Sequence, residues 1–166
     1  MINKVVLGFG SNIGNRLKNL KTAVKEISLT KGIDFLALSS IYETEPWGYR
    51  KQKLFLNCAG VFLCRLTPLE LVKIIKNIEK NIGRVNREKW RPREIDIDIL
   101  FYGNGVYKNK NLIIPHPLIQ ERNFVLKPLV ELMPGFTHTG LKKSVSYLYL
   151  NSKDKGEVSL FKKFDE

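Results

Sequence analysis

Hydrophobic and polar positions alternate along this chain in blocks of definite period. Val5-Val6-Leu7-Gly8-Phe9 is an apolar run of strand length, and Gly10-Ser11-Asn12-Ile13-Gly14-Asn15 after it has the composition of a tight loop. Leu17, Leu20, Val24 and Ile27 recur at three- and four-residue steps, which puts them on one face of a helix with lysines outside. Gly32 is the expected stop. Residues 35–42 and 54–63 read as a second and third strand, with a long loop over residues 43–53 between them. The next helix has a marked start, with Thr67 as N-cap, Pro68 at the first position and Glu70 completing a capping box. Leu71, Ile74, Ile75, Ile78 and Ile82 form its apolar face, and Gly83 its stop. Residues 95–102 alternate as a strand, and Gly103-Asn104-Gly105 predicts a hairpin turn back into Val106-Tyr107.

The order is β-α-β-β-α-β, the ferredoxin-like pattern, within about the first hundred residues. The expected fold is α+β, with helices on one side of the sheet and a C-terminal extension. That extension adds a strand from Leu112, a Pro-rich turn, and short helices over residues 124–132 and 141–150. The polar stretch 151–166 is expected to be a loose tail.

Composition leaves this frame intact. At 166 residues, 43% hydrophobic and 27% charged, the chain has the make-up of one globular domain spanning 1–166. No apolar stretch reaches the roughly 18 residues of a membrane span. The N-terminus lacks a signal-peptide layout, and two cysteines make no disulfide framework. A cytoplasmic protein with no membrane partner is expected.

Charge adds a functional hint. The chain carries 28 Lys+Arg against 16 Asp+Glu, a formal +12, which favours anionic partners. Its distribution says more than its size. Arg84, Arg87, Lys89, Arg91 and Arg93 stand together with Glu88 as the one acid among them, and arginine suits bidentate phosphate contacts.

Asp96 and Asp98 follow directly. Two positions apart on a strand, they share a face opposite Ile95, Ile97 and Ile99, spaced by roughly 6 to 7 Å. Paired carboxylates beside arginines suit metal-assisted phosphoryl transfer, and an oxygen-only ligand set favours Mg²⁺; a solvated acidic edge is the plain alternative. Gly8, Gly10 and Gly14 miss the dinucleotide fingerprint by one residue, so packing or turn roles are expected, with room for a ligand. Phe55, Asn57, Ala59 and Val61 line one strand face, where an Asn amide can read the edge of a flat heterocycle or serve structure. Cys58 and Cys64 face the other way as core thiols. His116 sits in a stiff Pro-His-Pro turn as a phosphate donor or a buried structural group, and His138 is expected at the surface. Arg122 and Phe124 offer a cation and a stacking face, or helix packing.

These segments together resemble the 6-hydroxymethyl-7,8-dihydropterin pyrophosphokinase family of the folate pathway. Gly10-Ser11-Asn12, the run from Glu43 to Gly48, Phe55-Leu56-Asn57, Ile78-Glu79 and Gly83-Arg84 come in the family's order. Trp90 to Leu100 and Pro115 to Leu129 follow, the likeness covering roughly residues 5 to 135. The pair Pro92-Arg93-x-x-Asp96-x-Asp98 and Pro115-His116-Pro117-x-x-x-x-Arg122-x-Phe124 is highly specific.

The resemblance implies a diphosphotransferase that moves diphosphate from ATP to the pterin hydroxymethyl group and releases AMP. It implies Arg84, Arg93, Asp96 and Asp98 as the catalytic set, with Asp96 and Asp98 holding two Mg²⁺ ions. ATP would be bound by Arg84, Trp90, Arg93, His116 and Arg122. The pterin would stack between Phe55 and Phe124 and be read by Asn57 and the backbone around Thr44 and Trp47. Trp47 stands where a smaller apolar residue is usual, so the wall is bulkier or the indole points outward. Loops 43–53 and 84–93 would be lids. Partners would be small molecules, without nucleic acid, and the chain a monomer.

Two other readings compete with this one. A basic ferredoxin-like RNA-binding module would carry an aromatic motif on its third strand, absent from Leu54-Phe55-Leu56-Asn57-Cys58-Ala59-Gly60-Val61. A nucleotidyltransferase would keep its Gly-Ser loop near its paired aspartates, whereas Ser11 and Asp96 are 85 positions apart.

Overall fold

The structure is a computed structural model that describes residues 1–88, 90–110 and 112–164. Lys89, from the basic cluster, and the last two positions of the expected tail lie outside the described residues. The elements are β1 (Asn3–Ser11), α1 (Arg16–Ser28), β2 (Ile33–Leu38), β3 (Ile41–Thr44), β4 (Phe55–Cys64), α2 (Pro68–Ile82) and β5 (Asp96–Tyr102). After them come β6 (Tyr107–Asn109), β7 (Leu112–Ile114), a 3₁₀ turn (Ile119–Glu121), α3 (Asn123–Leu132), α4 (Val145–Leu150) and β8 (Val158–Lys162).

Strong local signals formed what they predicted. Thr67 and Glu70 make the reciprocal capping box that starts α2, and Gly83 ends it at φ 106°, a conformation only glycine adopts freely. Leu71, Ile75 and Ile78 of α2 and Leu20, Ala23, Val24 and Ile27 of α1 are buried against the sheet. Each large apolar side chain among them contributes roughly 1.5 to 3 kcal/mol.

The main sheet is antiparallel, in the order β5-β1-β4-β3-β8, with β2 also paired to β4. The predicted strand over 35–42 is split. Ser39 hydroxyl accepts the Ala59 N–H at 2.9 Å while Ser39 N–H donates to Ala59 O, so the chain kinks there between β2 and β3.

Helices cover both faces of this sheet, correcting the expectation of one. Val5, Leu7, Phe9, Leu56, Cys58, Ile97 and Ile99 join α1 and α2 in one core cluster. Val6, Ala59, Val61 and Leu100 join α3 and α4 in another. The second cluster exists because β1 and β4 carry apolar residues at both parities, so neither face can be left to water. It covers only one end of its face. At the other end Gly8, Gly10, Phe55, Asn57, Asp96 and Asp98 line a cavity.

Three further expectations change. The turn at residues 103–105 forms, but β6 pairs with β7 instead of returning along β5; Gly105 lies so close under the Tyr107 ring that a Cβ would come within 2.6 Å of it. The segment 151–164 is not wholly loose, because β8 pairs with β3 along its free edge, Val158 opposite Thr44. An edge strand with unpaired backbone groups is a template for such addition. His138 is buried, 6% exposed, packed against Phe101 with Nδ1 accepting the Gly140 and Leu141 N–H groups. Among the described residues no helix is long and apolar enough to cross a membrane.

Candidate active site

Strand register builds the centre of the site. Asp96 lies opposite Gly10 and Asp98 opposite Gly8, so neither carboxylate has a facing side chain on β1. Asp96 accepts from Arg84 at 2.8 Å through one oxygen and from Arg93 at 2.7 Å through the other. Arg84 also pairs with Glu79, whose carboxylate accepts the Ile97 N–H at 2.8 Å. Glu79 is buried at 8% exposure, and burial pushes its carboxyl above the usual range. One acid on α2 thus holds both the arginine and the strand bearing the aspartates.

Asp98 lies deeper. Burial, reinforced by the Asp96 charge, pushes its carboxyl up to about 7. Beside it stands His116, Nε2 at 4.0 Å from the carboxylate. The His116 N–H donates to Leu100 O, and its Nδ1 accepts the Leu118 N–H, which leaves the ring proton on Nε2, facing Asp98. Burial, followed by the nearby Arg122 charge, lowers this histidine to about 4. At neutral pH it is a neutral donor, not a cation.

Two cavities meet at these aspartates. The first, about 340 Å³, is lined by Gly10, Thr44, Trp47, Phe55, Asn57, Trp90, Arg93, His116, Arg122 and Phe124, with Asp96 and Asp98. Trp47, Phe55, Trp90 and Phe124 give it four aromatic rings. Asn57 Nδ2 donates to Thr44 Oγ1 at 2.7 Å, and its oxygen lies 2.6 Å from where a Gly10 Cβ would be, so any side chain there would displace the amide. The second, about 490 Å³, is lined by Lys76, Arg84, Arg93 and Lys110 with the same aspartates and His116. All the predicted site residues therefore border one cavity or the other, Arg84 only the second.

Trp47 closes one wall. Its Nε1–H donates to Glu121 O at 3.2 Å, and the Arg122 guanidinium lies 4.6 Å from its ring and 5.6 Å from Phe124. The buried Arg122 Nε has no hydrogen-bond partner among the described residues.

The loops over 43–53 and 84–93 are joined. Trp47 meets Trp90 edge-on at 5.8 Å, and Arg91 stacks on Tyr49 at 4.6 Å. Gln52 donates to Trp90 O at 2.9 Å while accepting from Asn12 Nδ2 at 2.9 Å. Asn12 also donates to Lys53 O and accepts the Arg93 N–H at 2.8 Å. Arg87 is bound to Glu94 at 2.7 Å, and that arginine holds the Glu94 carboxyl down at about 2.

Sequence reasoning assigned no role to Glu79, Asn12, Gln52 or Lys110. Glu79 did carry a signal, since it falls beside Ile75, Ile78 and Ile82 on the apolar face of a helix, where an acid is out of place. Asn12 was marked only as the end of the Gly10-Ser11-Asn12 segment, and Gln52 and Lys110 had no signal. The 85-position separation of Ser11 and Asp96 was a poor argument, because β1 and β5 are neighbours. Ser11 is buried and its hydroxyl donates to Glu94 O at 2.6 Å.

The model of the 7,8-dihydro-6-hydroxymethylpterin-pyrophosphokinase (HPPK) family matches residues 6–134. The chain belongs to this family. It is 40% identical over 139 residues to the 2-amino-4-hydroxy-6-hydroxymethyldihydropteridine pyrophosphokinase of Aquifex aeolicus, covering 84% of this chain and 86% of that one. The enzyme of the same name in Bacillus subtilis is 40% identical over 132 residues, covering 80% and 79%. A folic acid synthesis protein of Dictyostelium discoideum is also 40% identical, over 94% of this chain, but the chain spans only 23% of that protein. In fold the chain resembles an HPPK-DHPS of Plasmodium falciparum solved with pterin and p-hydroxybenzoate, at TM-score 0.76 and 18% identity, over 90% of this chain and 43% of that one. The mixed α+β architecture with an antiparallel sheet is shared with that structure. Membership of an HPPK enzyme family leaves the RNA-binding reading without support.

Proposed function

We propose that the chain transfers diphosphate from ATP to the hydroxymethyl group of 6-hydroxymethyl-7,8-dihydropterin, giving AMP and the pterin diphosphate. The carrying observation is that Asp96 and Asp98 stand where an aromatic cavity and a basic cavity meet. In this reading the pterin occupies the first, between Phe55 and Phe124 with Asn57 and Thr44 at its edge and Trp47 on the wall. The triphosphate occupies the second, against Arg84, Arg93 and Lys110, with His116 lining both cavities and Arg122 and Trp90 reaching it from the first. We read the frame as ferredoxin-like, which the antiparallel neighbours β5-β1-β4 followed by β2 and β3 support.

The donor set fits Mg²⁺. Two carboxylates with oxygen-only chemistry face the junction, and among the described residues no group of three or more His, Cys, Asp or Glu forms a ready cage. That is the arrangement Mg²⁺ uses when substrate phosphates and water complete its shell. Asp96 and Asp98 would hold two such ions, which neutralise phosphate charge when bound. Arg84 and Arg93, now on Asp96, then have the phosphate oxygens as partners. Neutral His116 donates its Nε2–H without adding charge. Positioning dominates, since a hydroxyl attacking phosphorus in line needs alignment and charge neutralisation more than a covalent nucleophile. The joined lids exclude water, a competing acceptor. Every group comes from one copy of the chain, so a monomer suffices, and nothing in the scheme calls for a membrane or nucleic acid.

The test incubates the chain with ATP, Mg²⁺ and the reduced hydroxymethylpterin and resolves the nucleotide products. Pterin-dependent AMP is expected, and its loss in Asp98→Ala with the fold retained. ADP as the product, or AMP formed without pterin, would overturn the reading.

A further inference from the structure

The strongest structure outside the described chemistry lies beyond residue 134, where the family match ends. Helix α3 begins with Asn123 and carries Phe124 in its first turn. Its N-cap residue, Arg122, makes no side-chain capping bond, and the first turn holds no acid, so its leading N–H groups need an acceptor from elsewhere. Asp154, 31 positions away, provides it. Asp154 Oδ2 accepts the Asn123 N–H at 2.8 Å, and Asp154 O accepts from Asn123 Nδ2 at 3.0 Å. A carboxylate at that end also suits the helix dipole. The other carboxylate oxygen takes the Gly156 N–H at 2.9 Å, and the Asp154 N–H donates to Ser152 Oγ, which fixes the carboxylate's aim.

The same segment holds the opposite wall. Glu157 O accepts the Glu45 N–H at 3.2 Å, Glu157 N–H donates to Glu45 Oε2, and Val158 pairs with Thr44. Residues 154–158 therefore tie the root of the 43–53 lid to the start of α3. None of residues 152–158 is buried in either core cluster, so the fold does not depend on them for its hydrophobic interior.

We infer that residues 152–158 form a strap that sets the spacing of the pterin cavity's two walls, with Asp154 as a positioning residue that orients Phe124 through the helix start. The inference rests on the functional reading above and extends it to a segment outside the family match. Removing the carboxylate frees the first turn of α3 and slackens the strap, while Arg84 and Arg93, on other elements, keep Asp96 as their partner.

Steady-state kinetics of Asp154→Ala is the test. Loss of a helix cap corresponds to roughly a tenfold effect, so a rise of that order in KM for the pterin is expected, with a smaller rise in KM for ATP through the adjoining Arg122 and kcat within about twofold. Asp154→Asn, which keeps an oxygen for the Asn123 N–H, should recover most of the loss. An unchanged pterin KM, or both KM values rising equally, would overturn the inference. Amide hydrogen exchange decides it without turnover. Residues 44–48 and 123–126 should exchange faster in Asp154→Ala while β5 does not, and identical protection would refute the strap. If the wild-type chain makes no pterin-dependent AMP, the functional reading falls instead, and the exchange result still judges the strap.

Discussion

Asn12 offers the sharpest perturbation of the site's frame. It is 1% exposed and joins three segments through one amide. Its Nδ2 donates to Gln52 Oε1 at 2.9 Å and Lys53 O at 3.0 Å, and its Oδ1 accepts the Arg93 N–H at 2.8 Å. Asn12→Ala removes all three bonds. At a net ~1 kcal/mol each the loss is about 3 kcal/mol, with the Arg93 N–H and Lys53 O left to find new partners. For a chain of this size that corresponds to a fall of roughly 6 to 12 °C in Tm. Part of the cost can appear as lid opening instead of global unfolding, because both lids are surface loops. The two tryptophans of the chain, Trp47 and Trp90, sit one on each lid in edge contact, so their fluorescence reports that opening directly. Urea denaturation and tryptophan emission, measured together, should show a loss of about 3 kcal/mol, a changed emission, or both. Asn12→Asp keeps the acceptor for Arg93 and loses the donors for the 43–53 loop, so it should fall between. A variant within 0.5 kcal/mol of wild type whose emission is also unchanged would refute the joining role of Asn12.

Two further outcomes follow from other parts of the structure. Phe124→Ala should raise KM for the pterin by an order of magnitude while ATP affinity is little changed, as steady-state kinetics will show; equal loss of both would assign the ring to packing. His138 is held below its ordinary pKa chiefly by burial, so its unfolded form takes up a proton near pH 6.5 that the folded form refuses. Stability therefore falls as pH drops from about 6.5 towards the lowered folded value, with a limiting slope of about 1.4 kcal/mol per pH unit for one proton. Chemical denaturation at pH 6.5 and 5.5 should show a shallower loss in His138→Asn, and an identical loss would contradict the assignment.

What could be read from the sequence was whatever local chemistry decides. The Thr67–Glu70 box, the Gly83 stop and the shared face of Asp96 and Asp98 each depend on residues two to four apart, and period alone settles them. Gly10 as a place of close approach was also within reach, although the amide that needs the space lies on another strand. What escaped depends on pairings across the chain. Asn12 reaches Gln52 and Arg93 over 40 and 81 positions, and no periodicity marks a polar residue as a junction. His138 stands between Thr137 and Thr139 with no local pattern to place it inside, yet its ring fills space against Phe101 that only the fold creates. The polar stretch before β8 concealed Val158-Ser159-Leu160-Phe161, whose role follows from the open edge of β3.

The basic surplus that first suggested an anionic partner is arranged differently at the site than its total implies. Arg84 is shared between Glu79 and Asp96, Arg93 is bound to Asp96, and Arg87 to Glu94. Each of these arginines already has a carboxylate, so the cluster is not an open basic patch that would take any polyanion. A ligand competes for Arg84 and Arg93 only if something else compensates Asp96, because stripping both cations from a partly buried acid beside Asp98 leaves two repelling charges. Divalent cations arriving with a polyphosphate meet that condition, whereas a bare phosphate chain does not. The same pairing that keeps the arginines placed should therefore make nucleotide binding depend steeply on Mg²⁺, and titrating ATP into the chain with and without chelator measures that dependence. Equal ATP affinity in both conditions would show that the arginines bind phosphate without releasing Asp96, and the coupling argued here would be wrong.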